Sequence, residues 1–352
     1  TSIPEELGCP RTWDYRFCWL RDSAFVIEAL RRLSHIQEGE RFLMYLRDVA
    51  EAGPLQPVYG IGGERVLDEH ILDHLSGYER CGPVRIGNAA HRQTQHDLMG
   101  ELLLSLNTIL TDERRSLEPS AFWSLIVRLV NDARRALWQP DTGIWEYRTE
   151  PKLHVFSQAM CWSALNSGSE LAAMLGFRAE AEEWRRIANE AHPELVRRSY
   201  NPELGMFTQA LEGSWSDAAN LLLPVVNFIS ARSPEFRSTL AAYDRELVKN
   251  GLMQRYRHTD DFGMPGSTFT ICSFWWAEAL ALSGELDAAI TVFERLLQYS
   301  NALGLFSEDI DPVTSRMLGN YPQAYTHVGL INAAVTIGTL KAARDEKVAP
   351  WQ

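Results

Sequence analysis

Cysteine is scarce in this 352-residue sequence, and the few cysteines are scattered. They are odd in number and none stands in a CxxC pair, so the sequence indicates neither a disulfide framework nor a zinc site. The pattern is typical of buried thiols in a reducing compartment, and we therefore expect a cytoplasmic protein. The positions are Cys9, Cys18, Cys81, Cys161 and Cys272.

Positive charge is also in deficit. The sequence holds 34 Lys and Arg residues against 46 Asp and Glu residues, which gives a formal net charge of −12. A nucleic-acid-binding protein needs a basic face that neutralises phosphates, so the composition disfavours this class. A small neutral or cationic ligand fits the charge better.

Long apolar runs are missing as well. No stretch approaches the roughly 20 apolar residues that span a bilayer, and Pro224 interrupts the richest one, NLLLPVVNFI. No signal-peptide pattern is present, and we expect no membrane association. The sequence starts at Thr1 and runs quickly into a motif, so we expect that upstream residues have been removed.

Helical periodicity is abundant. Apolar residues recur with a period near 3.6 in about eleven segments, and a segment of small and apolar residues is typically followed by a more charged one. This alternation predicts an all-α protein with inner and outer helices. The segments are 22–34, 38–51, 94–109, 119–137, 156–174, 178–197, 216–228, 235–248, 268–283, 285–298 and 323–345.

Long connections separate the helix pairs, and long loops in a compact domain are usually functional. We expect the connections 53–93, 138–154, 250–267 and 300–322 to converge on one face. Aromatic residues of these loops and of the 199–215 loop are candidates for the wall of a common pocket. They are Tyr59, Tyr78, Trp145, Tyr147, Trp215, Tyr256 and Tyr321.

Common catalytic motifs are not found: the sequence has no P-loop, no GxSxG and no HExxH. The GIGG at 60–63 lacks the strand-turn-helix context of a dinucleotide site. His70 and His74 are spaced as a metal pair, but no third ligand is close in sequence, so a solvated surface is the favoured interpretation. We therefore predict no metal and no cofactor.

The stretch YRFCWLRD places Arg21 and Asp22 side by side, after Tyr15 and Trp19. One interpretation is a helix start, with Asp22 capping the first turn. The other is a sugar site, where the aromatic faces contact a pyranose ring and the Arg-Asp pair binds its hydroxyl groups.

A candidate general acid lies in GIWEYR. Here Trp145 and Tyr147 flank Glu146, and an apolar surround favours the protonated form of a carboxyl group. The alternative is a loop carboxylate paired with Arg148.

A candidate general base lies in GLFSEDIDP. Glu308 is clustered with Asp309 and Asp311, and such like charges predict a polar, partly ionised group. The alternatives are an acidic turn before Pro312 and a calcium-binding loop.

Seven motifs, in order along the chain, resemble glycoside hydrolase family 15, the glucoamylase-like enzymes, and in particular its bacterial branch. The resemblance implies an (α/α)6 toroid that forms a single catalytic domain over 1–352. It also implies that the first, inner helix is missing and that the N-terminal β-sandwich domain of bacterial relatives is absent. The motifs are YRFCWLRD, GNAAHRQTQHD, GIWEYR, QRY, CSFWWAEAL, GLFSEDIDP and NYPQAYTHVGLI.

The resemblance implies the catalytic pair. Glu146 matches the general acid and Glu308 the general base of the family. Two carboxyl groups on opposite sides of the glycosidic bond, about 6.5–9.5 Å apart, leave room for the attacking water and lead to inversion.

The resemblance also implies the substrate contacts. Arg21 and Asp22 match the pair that binds hydroxyl groups of the non-reducing-end glucose, and Arg255 matches a second arginine on the sugar. The remaining predicted contacts are the aromatic residues Tyr15, Trp19, Trp145 and Tyr59.

The predicted function is an inverting glycoside hydrolase that releases β-glucose from the non-reducing end of α-glucosides. Gln158, Asn166 and Ser167 stand where relatives often carry charged residues, and 260–269 lacks a common Glu-Gly pair. The choice between a glucoamylase and a trehalase therefore stays open.

Two other functions remain as alternatives. A disaccharide phosphorylase on the same toroid would need an anion-binding cluster in place of Glu308, whereas a non-catalytic α-glucan-binding protein would need neither glutamate. The missing helix would leave an apolar groove beside 22–34 and 323–345, and we expect self-association through that face.

Overall fold

The computed structural model describes residues 3–8 and 10–348, so Cys9 lies outside the described residues. This part of the chain contains ten α-helices. They are α1 (Leu20–Arg32), α2 (Ile36–Glu51), α3 (Asp97–Leu110), α4 (Trp123–Ala136), α5 (Val155–Leu175), α6 (Arg178–Ser199), α7 (Pro234–Leu247), α8 (Thr270–Ser283), α9 (Leu286–Leu297) and α10 (Ala324–Val348).

The helices form two concentric layers. The inner layer runs from α1 through α3, α5, a short 3-10 helix (Ala218–Leu222), α8 and α10, and it closes where α10 packs against α1. Outside it lie α2, α4, α6, α7 and α9, each packed against an inner neighbour. This is the arrangement of an (α/α)6 toroid, and the predicted fold class is confirmed.

The sequence of each helix accounts for its layer. Inner helices α5 and α8 are buried on nearly all sides, because they contact neighbours in both layers. Outer helices α4 and α9 bury one apolar stripe and expose charged residues on the other side. Close inner packing also needs small residues: a Cβ on Gly100 of α3 would lie 2.3 Å from the carbonyl oxygen of Met160 in α5.

The expected gap in the inner layer is not present. The rings of Phe25 in α1 and Tyr325 in α10 lie 5.5 Å apart, and Arg32 donates to Thr336 Oγ1 at 3.1 Å. Within α1 and α10 no exposed large apolar side chain occurs among the described residues, although Leu33, directly after α1, is 47% exposed. The described inner layer is thus closed where α10 meets α1, and the apolar groove expected between these helices is not present there. The expected self-association stays a prediction.

The segment predicted as a helix at 216–228 forms only the short 3-10 helix. Its first turn is capped by Asp217, whose side chain accepts from the backbone N–H of Ala219. A continuation is unfavourable because Pro224 has no N–H and its ring clashes with the preceding turn. The inner layer is therefore thinnest at this position.

Eleven two-residue strands are present in the described connections. The largest sheet has three antiparallel strands in the order β11-β10-β9. The strands are β1 (Cys18–Trp19), β2 (Val58–Tyr59), β3 (His70–Ile71), β4 (Arg85–Ile86), β5 (Tyr200–Asn201), β6 (Met206–Phe207), β7 (Val248–Lys249), β8 (Leu252–Met253), β9 (Thr268–Phe269), β10 (Asp309–Ile310) and β11 (Met317–Leu318).

None of the helices in the described ranges is both long and apolar enough to cross a bilayer. The four described cysteines, Cys18, Cys81, Cys161 and Cys272, are free thiols.

Candidate active site

A cavity of about 720 Å³ is lined by residues from α1 and from the connections between the helix pairs. Asn88, Glu146, Tyr256 and Glu308 each come from a different one of the four loops that we expected to converge. The prediction that these loops share one face is therefore confirmed. A volume of this size is typical of small-molecule sites.

Glu146 lies on a tight turn with an unusual backbone. Its φ angle is +60°, in the left-handed region that favours glycine. Nearby Gly143, at φ +66°, is required because a Cβ there would lie 2.8 Å from the ring of His154. A glutamate that is kept in a strained conformation on a cavity wall indicates a functional role.

Hydrogen-bond donors surround the Glu146 carboxyl group. Its Oε1 accepts from Trp19 Nε1 at 2.7 Å and from Gln95 Nε2 at 3.3 Å, and Arg21 Nη2 lies 3.5 Å away. The expectation of an apolar surround was therefore wrong, because donors from distant parts of the chain reach the carboxyl group that Trp145 and Tyr147 flank in sequence. The alternative pairing with Arg148 was also wrong, since Arg148 binds Glu69 at 2.8 Å.

Arg21 and Asp22 begin α1 and both line the cavity. Arg21 donates to Gln95 Oε1 at 2.8 Å and lies 3.5 Å from Asp97. No side chain caps the start of α1, so the cap interpretation of Asp22 is wrong. Burial deep in the cavity raises the pKa of Asp22 to about 6, although 36% of its side chain stays exposed.

Trp145 is held by a residue that the sequence did not single out. Its indole Nε1 donates to Asp217 Oδ1 at 2.8 Å, and its ring lies about 6 Å from those of Tyr256 and Phe269. Burial raises the pKa of Asp217 to about 7. Asp217 thus fixes the indole that precedes Glu146 in the turn.

Glu308 directly precedes β10 and is almost completely buried. Its N–H donates to the carbonyl of Asn320, and its own carbonyl accepts from Thr270 N–H, both at 2.8 Å. Glu308 Oε2 accepts from Asn320 N–H at 2.8 Å. Gly319, at φ +71°, makes this approach possible, because a Cβ there would lie 2.7 Å from the Glu308 carboxylate.

Glu308 and its acidic neighbours do not form one polar, partly ionised cluster as we expected. Asp309 is buried on the other side of the strand and accepts from Ser267 Oγ at 2.8 Å. Asp311 instead caps the following turn by accepting from Val313 N–H. Burial, followed by the charges of Glu5 and Asp309, raises the pKa of Glu308 well above its ordinary value.

Arg255 and Tyr15 also line the cavity, and both bind Glu5. Arg255 Nη2 lies 3.2 Å from Glu5 Oε2, and Tyr15 Oη donates to Glu5 Oε1 at 3.1 Å. Sequence reasoning missed Glu5, since no local pattern distinguishes it. It belongs to residues 3–8, which we call the N-terminal strap.

Tyr59 is not part of the cavity wall. It is fully buried and pairs with Cys18 across strands β1 and β2, so the predicted substrate contact is wrong. Of the other aromatic candidates, Tyr147, Tyr256 and Tyr321 line the cavity, whereas Tyr78 and Trp215 do not.

Three departures from the family pattern lie away from the cavity. Gln158 is fully buried and binds the backbone of Trp138 and Gln139. Asn166 and Ser167 lie further along α5 and do not line the cavity either. The loop 260–269 does contribute, through Asp260, Asp261, Phe262 and Phe269.

No group of three or more metal-ligating side chains occurs within residues 3–8 and 10–348. His70 and His74 are both exposed on the surface. The calcium-loop interpretation of 308–311 gains no support from this geometry.

Curated relatives match nearly the whole chain. A trehalase of Mycolicibacterium smegmatis is 43% identical over 346 residues, which is 96% of this chain and 51% of the relative. A trehalase of Thermoplasma volcanium is 35% identical over 349 residues, 99% of this chain and 56% of the relative. The chain spans about half the length of the curated relatives it matches.

Solved structures share the fold at low sequence identity. A bacterial glucoamylase complexed with acarbose gives a TM-score of 0.73 at 14% identity, over 95% of this chain and 52% of that one. The glucoamylase of Saccharomycopsis fibuligera gives 0.71 at 13% identity, over 97% and 90%. The model of glycosyl hydrolases family 15 matches residues 1–335, and the chain therefore belongs to glycosyl hydrolases family 15.

Proposed function

We propose that this protein hydrolyses trehalose with inversion at the attacked carbon. The observation that carries the proposal is that Glu146 and Glu308, distant in sequence, line one cavity together with Arg21. The choice of trehalose is supported by relatives that are named trehalases and are up to 43% identical.

The two glutamates take different parts in the proposed reaction. Glu146 donates its proton to the glycosidic oxygen as the bond between that oxygen and C1 breaks. Glu308 removes a proton from the water whose oxygen bonds to C1 from the opposite side. Exchange with solvent then returns Glu308 to its carboxylate form and Glu146 to its acid form.

The other cavity residues bind the sugar that is attacked. Arg21 and Asp22 contact its hydroxyl groups, Arg255 binds it from another loop, and the rings of Tyr15 and Trp19 contact its apolar face. The rings of Tyr15 and Trp19 lie 5.6 Å apart at 54° to each other, so together they form a concave aromatic surface. Trp145 supplies a further apolar wall beside Glu146.

Initial rates of glucose release from four substrates test the proposal. Trehalose should be cleaved, and maltose, maltotriose and isomaltose should be poorer substrates. Faster release from maltotriose than from trehalose would indicate a glucoamylase instead. A strict need for phosphate, with a sugar phosphate as product, would indicate the phosphorylase, and binding without any cleavage would indicate a sugar-binding protein.

The anomeric form of the product tests the mechanism. Inversion of trehalose yields one β-glucose from the attacked ring and one α-glucose from the leaving ring. Early proton NMR spectra should therefore show both anomers in equal amounts. Release of α-glucose alone would mean retention, and the role of Glu308 as general base would have to be abandoned.

We further propose that residues 1–352 act as one catalytic domain in a reducing compartment such as the cytoplasm. The described residues share one extensive hydrophobic core, and free thiols are typical of reducing compartments.

A further inference from the structure

The N-terminal strap crosses the cavity wall beside Glu308. The carbonyl of Pro4 accepts from Gly319 N–H at 2.9 Å, next to the Asn320 amide that binds Glu308. On the other side, Glu6 Oε1 accepts from Gly266 N–H at 2.7 Å. These two contacts fix Glu5 between the loops that carry Glu308 and Arg255.

Glu5 is a buried carboxylate with several cavity partners. Only 3% of the residue is exposed. Its Oε1 accepts from Trp13 Nε1 at 2.9 Å and from Tyr15 Oη at 3.1 Å, and its Oε2 binds Arg255 at 3.2 Å. Because its oxygens are occupied by protein groups, Glu5 is placed to organise the cavity rather than to bind sugar directly.

We propose that Glu5 is a positioning residue for the hydrolytic reaction, which orients Arg255 toward the sugar and strengthens Glu308 as a base. This inference rests on the proposed function for its kinetic consequences. Its first part follows from the ion pair between Glu5 and Arg255. Its second part follows from the position of the strap: Pro4 binds Gly319, the neighbour of the Asn320 that binds Glu308, and Glu5 and Glu308 line the same cavity, so Glu5 adds negative charge near that buried carboxyl group.

The charges around Glu308 determine whether removing the charge of Glu5 raises or lowers the pKa of Glu308. Burial is the largest influence that raises its pKa, Glu5 and Asp309 raise it further, and Arg255 and the Asn320 N–H lower it. A higher pKa makes the ionised carboxylate a stronger general base, and it also moves the pH at which the carboxylate forms to a higher value. Removing the charge of Glu5 should therefore lower the pKa of Glu308.

Other titratable groups nearby do not reverse the direction in which Glu5 shifts the pKa of Glu308. Tyr15 faces both Glu5 and Glu308, and burial raises its pKa well above its ordinary value, so it remains neutral. Asp260 is paired with Arg11 at 2.7 Å. Glu6 raises the pKa of Asp309, the neighbour of Glu308, and so acts in the same direction as Glu5.

The test compares three variants of the strap. Glu5→Gln keeps the size of the side chain and removes its charge, whereas Glu5→Asp keeps the charge on a shorter side chain. Glu6→Gln is the comparison at the neighbouring position, because it removes a strap carboxylate that reaches Glu308 only through its effect on the pKa of Asp309 among the influences named above. Each is assayed for trehalose hydrolysis from pH 4 to pH 9.

Glu5→Gln should move the acid limb of kcat/KM to lower pH by roughly half a unit or more and should raise KM several-fold. Glu5→Asp should raise KM but leave the limb near its wild-type position, and Glu6→Gln should move the limb less than Glu5→Gln does. An unmoved limb in Glu5→Gln overturns the effect on the base, and an unchanged KM in both Glu5 variants overturns the effect on Arg255. If Glu5→Gln does not fold, the KM of Glu5→Asp still decides whether Glu5 orients Arg255.

A measurement without turnover separates this inference from the proposed function. Carbon-13 NMR of the glutamate carboxyl groups follows the titration of Glu308, assigned with Glu308→Gln. Its midpoint should be lower in Glu5→Gln than in the wild type. If the wild type does not cleave trehalose but the midpoint moves, the proposed substrate fails and the charge effect stands; an unmoved midpoint overturns the charge effect by itself.

Discussion

Replacing Gly319 by alanine should displace Glu308 and reduce turnover. A Cβ at this position would lie 2.7 Å from both Cβ and Oε2 of Glu308, whereas carbon atoms in favourable contact are at least about 3.5 Å apart. The glutamate side chain or the backbone of Gly319 must therefore move by roughly 0.8 Å. A misplacement of about 1 Å at a reacting group costs on the order of 100-fold in rate.

Gly304 provides a matched control for backbone strain. Its φ angle is +75°, close to the +71° of Gly319, but a Cβ at Gly304 would meet nothing within 4 Å. Both alanine variants should lose roughly 1–2 kcal/mol of stability from the left-handed conformation. Only Gly319→Ala should lose activity beyond what the loss of folded protein explains.

The assay measures kcat for trehalose in both variants, with urea unfolding to determine the folded fraction. We expect Gly319→Ala to have a kcat about 10- to 100-fold below that of Gly304→Ala. If the two kcat values agree within twofold, the position of Glu308 is not controlled by this contact, and our account of how the base is held must be given up.

Four other variants test the remaining site. Glu146→Gln should abolish cleavage of trehalose but reduce the rate on α-glucosyl fluoride much less, because fluoride leaves without protonation; equal losses in rate assays of both substrates would contradict this. Glu308→Gln should stop turnover of both substrates while calorimetry still detects binding of trehalose, and loss of binding would speak against a role as base alone. Arg21→Ala should raise KM and lower kcat together, since the sugar contact acts in the ground state and the transition state; a change in KM alone in steady-state kinetics would restrict it to binding. Asp217 has a folded pKa raised from 3.8 to about 7 by burial, so its contribution to stability is full below about pH 4 and is lost as pH rises to 7. Asp217→Asn cannot ionise. Between pH 4 and pH 8 its free energy of unfolding, measured with urea, should therefore rise relative to that of the wild type by up to roughly 4 kcal/mol. A difference between the two proteins that does not change with pH would refute the raised pKa.

Helices with strong local signals could be predicted closely. The prediction 156–174 differs from α5 by one residue at each end, because Gly176 at φ +86° ends the helix. Likewise Gly284, at φ +102°, ends α8 where the sequence indicated. The wrong helix prediction at 216–228 has an equally local cause. The apolar period continues through Pro224, but a proline at this position cannot continue the helix.

The site could be predicted only where a motif carried it. Arg21, Asp22, Glu146 and Glu308 stand in continuous stretches that resemble the family. Two of the residues that hold these groups, Asp217 and Glu5, lie outside such stretches, and their contacts are formed by distant parts of the chain. Gln95 does stand in the motif GNAAHRQTQHD, but nothing in that motif shows that its amide binds Glu146.

Tyr59 shows why the errors arose. An aromatic residue in a long loop suggests a pocket wall, but its direction depends on strand register. Pairing of Cys18 with Tyr59 turns the ring into the core. A shift by one residue would turn it to the other face, and nothing in the local sequence distinguishes the two registers.

The two glutamates are held in different ways, and this difference bears on how the site tolerates change. Glu308 continues the central strand β10 of the three-stranded sheet: its N–H and carbonyl groups bind Asn320 and Thr270, the first residue of α8. Its position is thus tied to an inner helix through the backbone. Glu146 instead sits on a strained turn, and side chains from β1, α1 and the segment before α3 hold its carboxyl group.

The side chains that bind the Glu146 carboxyl group can be substituted one at a time. The backbone hydrogen bonds that hold Glu308 change only if its strand moves. Substitutions around Glu146 should therefore alter the acid without disturbing the base. Changes near Glu308 act through the loops that Gly319 and the N-terminal strap bring together. The helical layers supply the rigid frame that both arrangements need, because the sheet and the turn are each joined to an inner helix within a few residues.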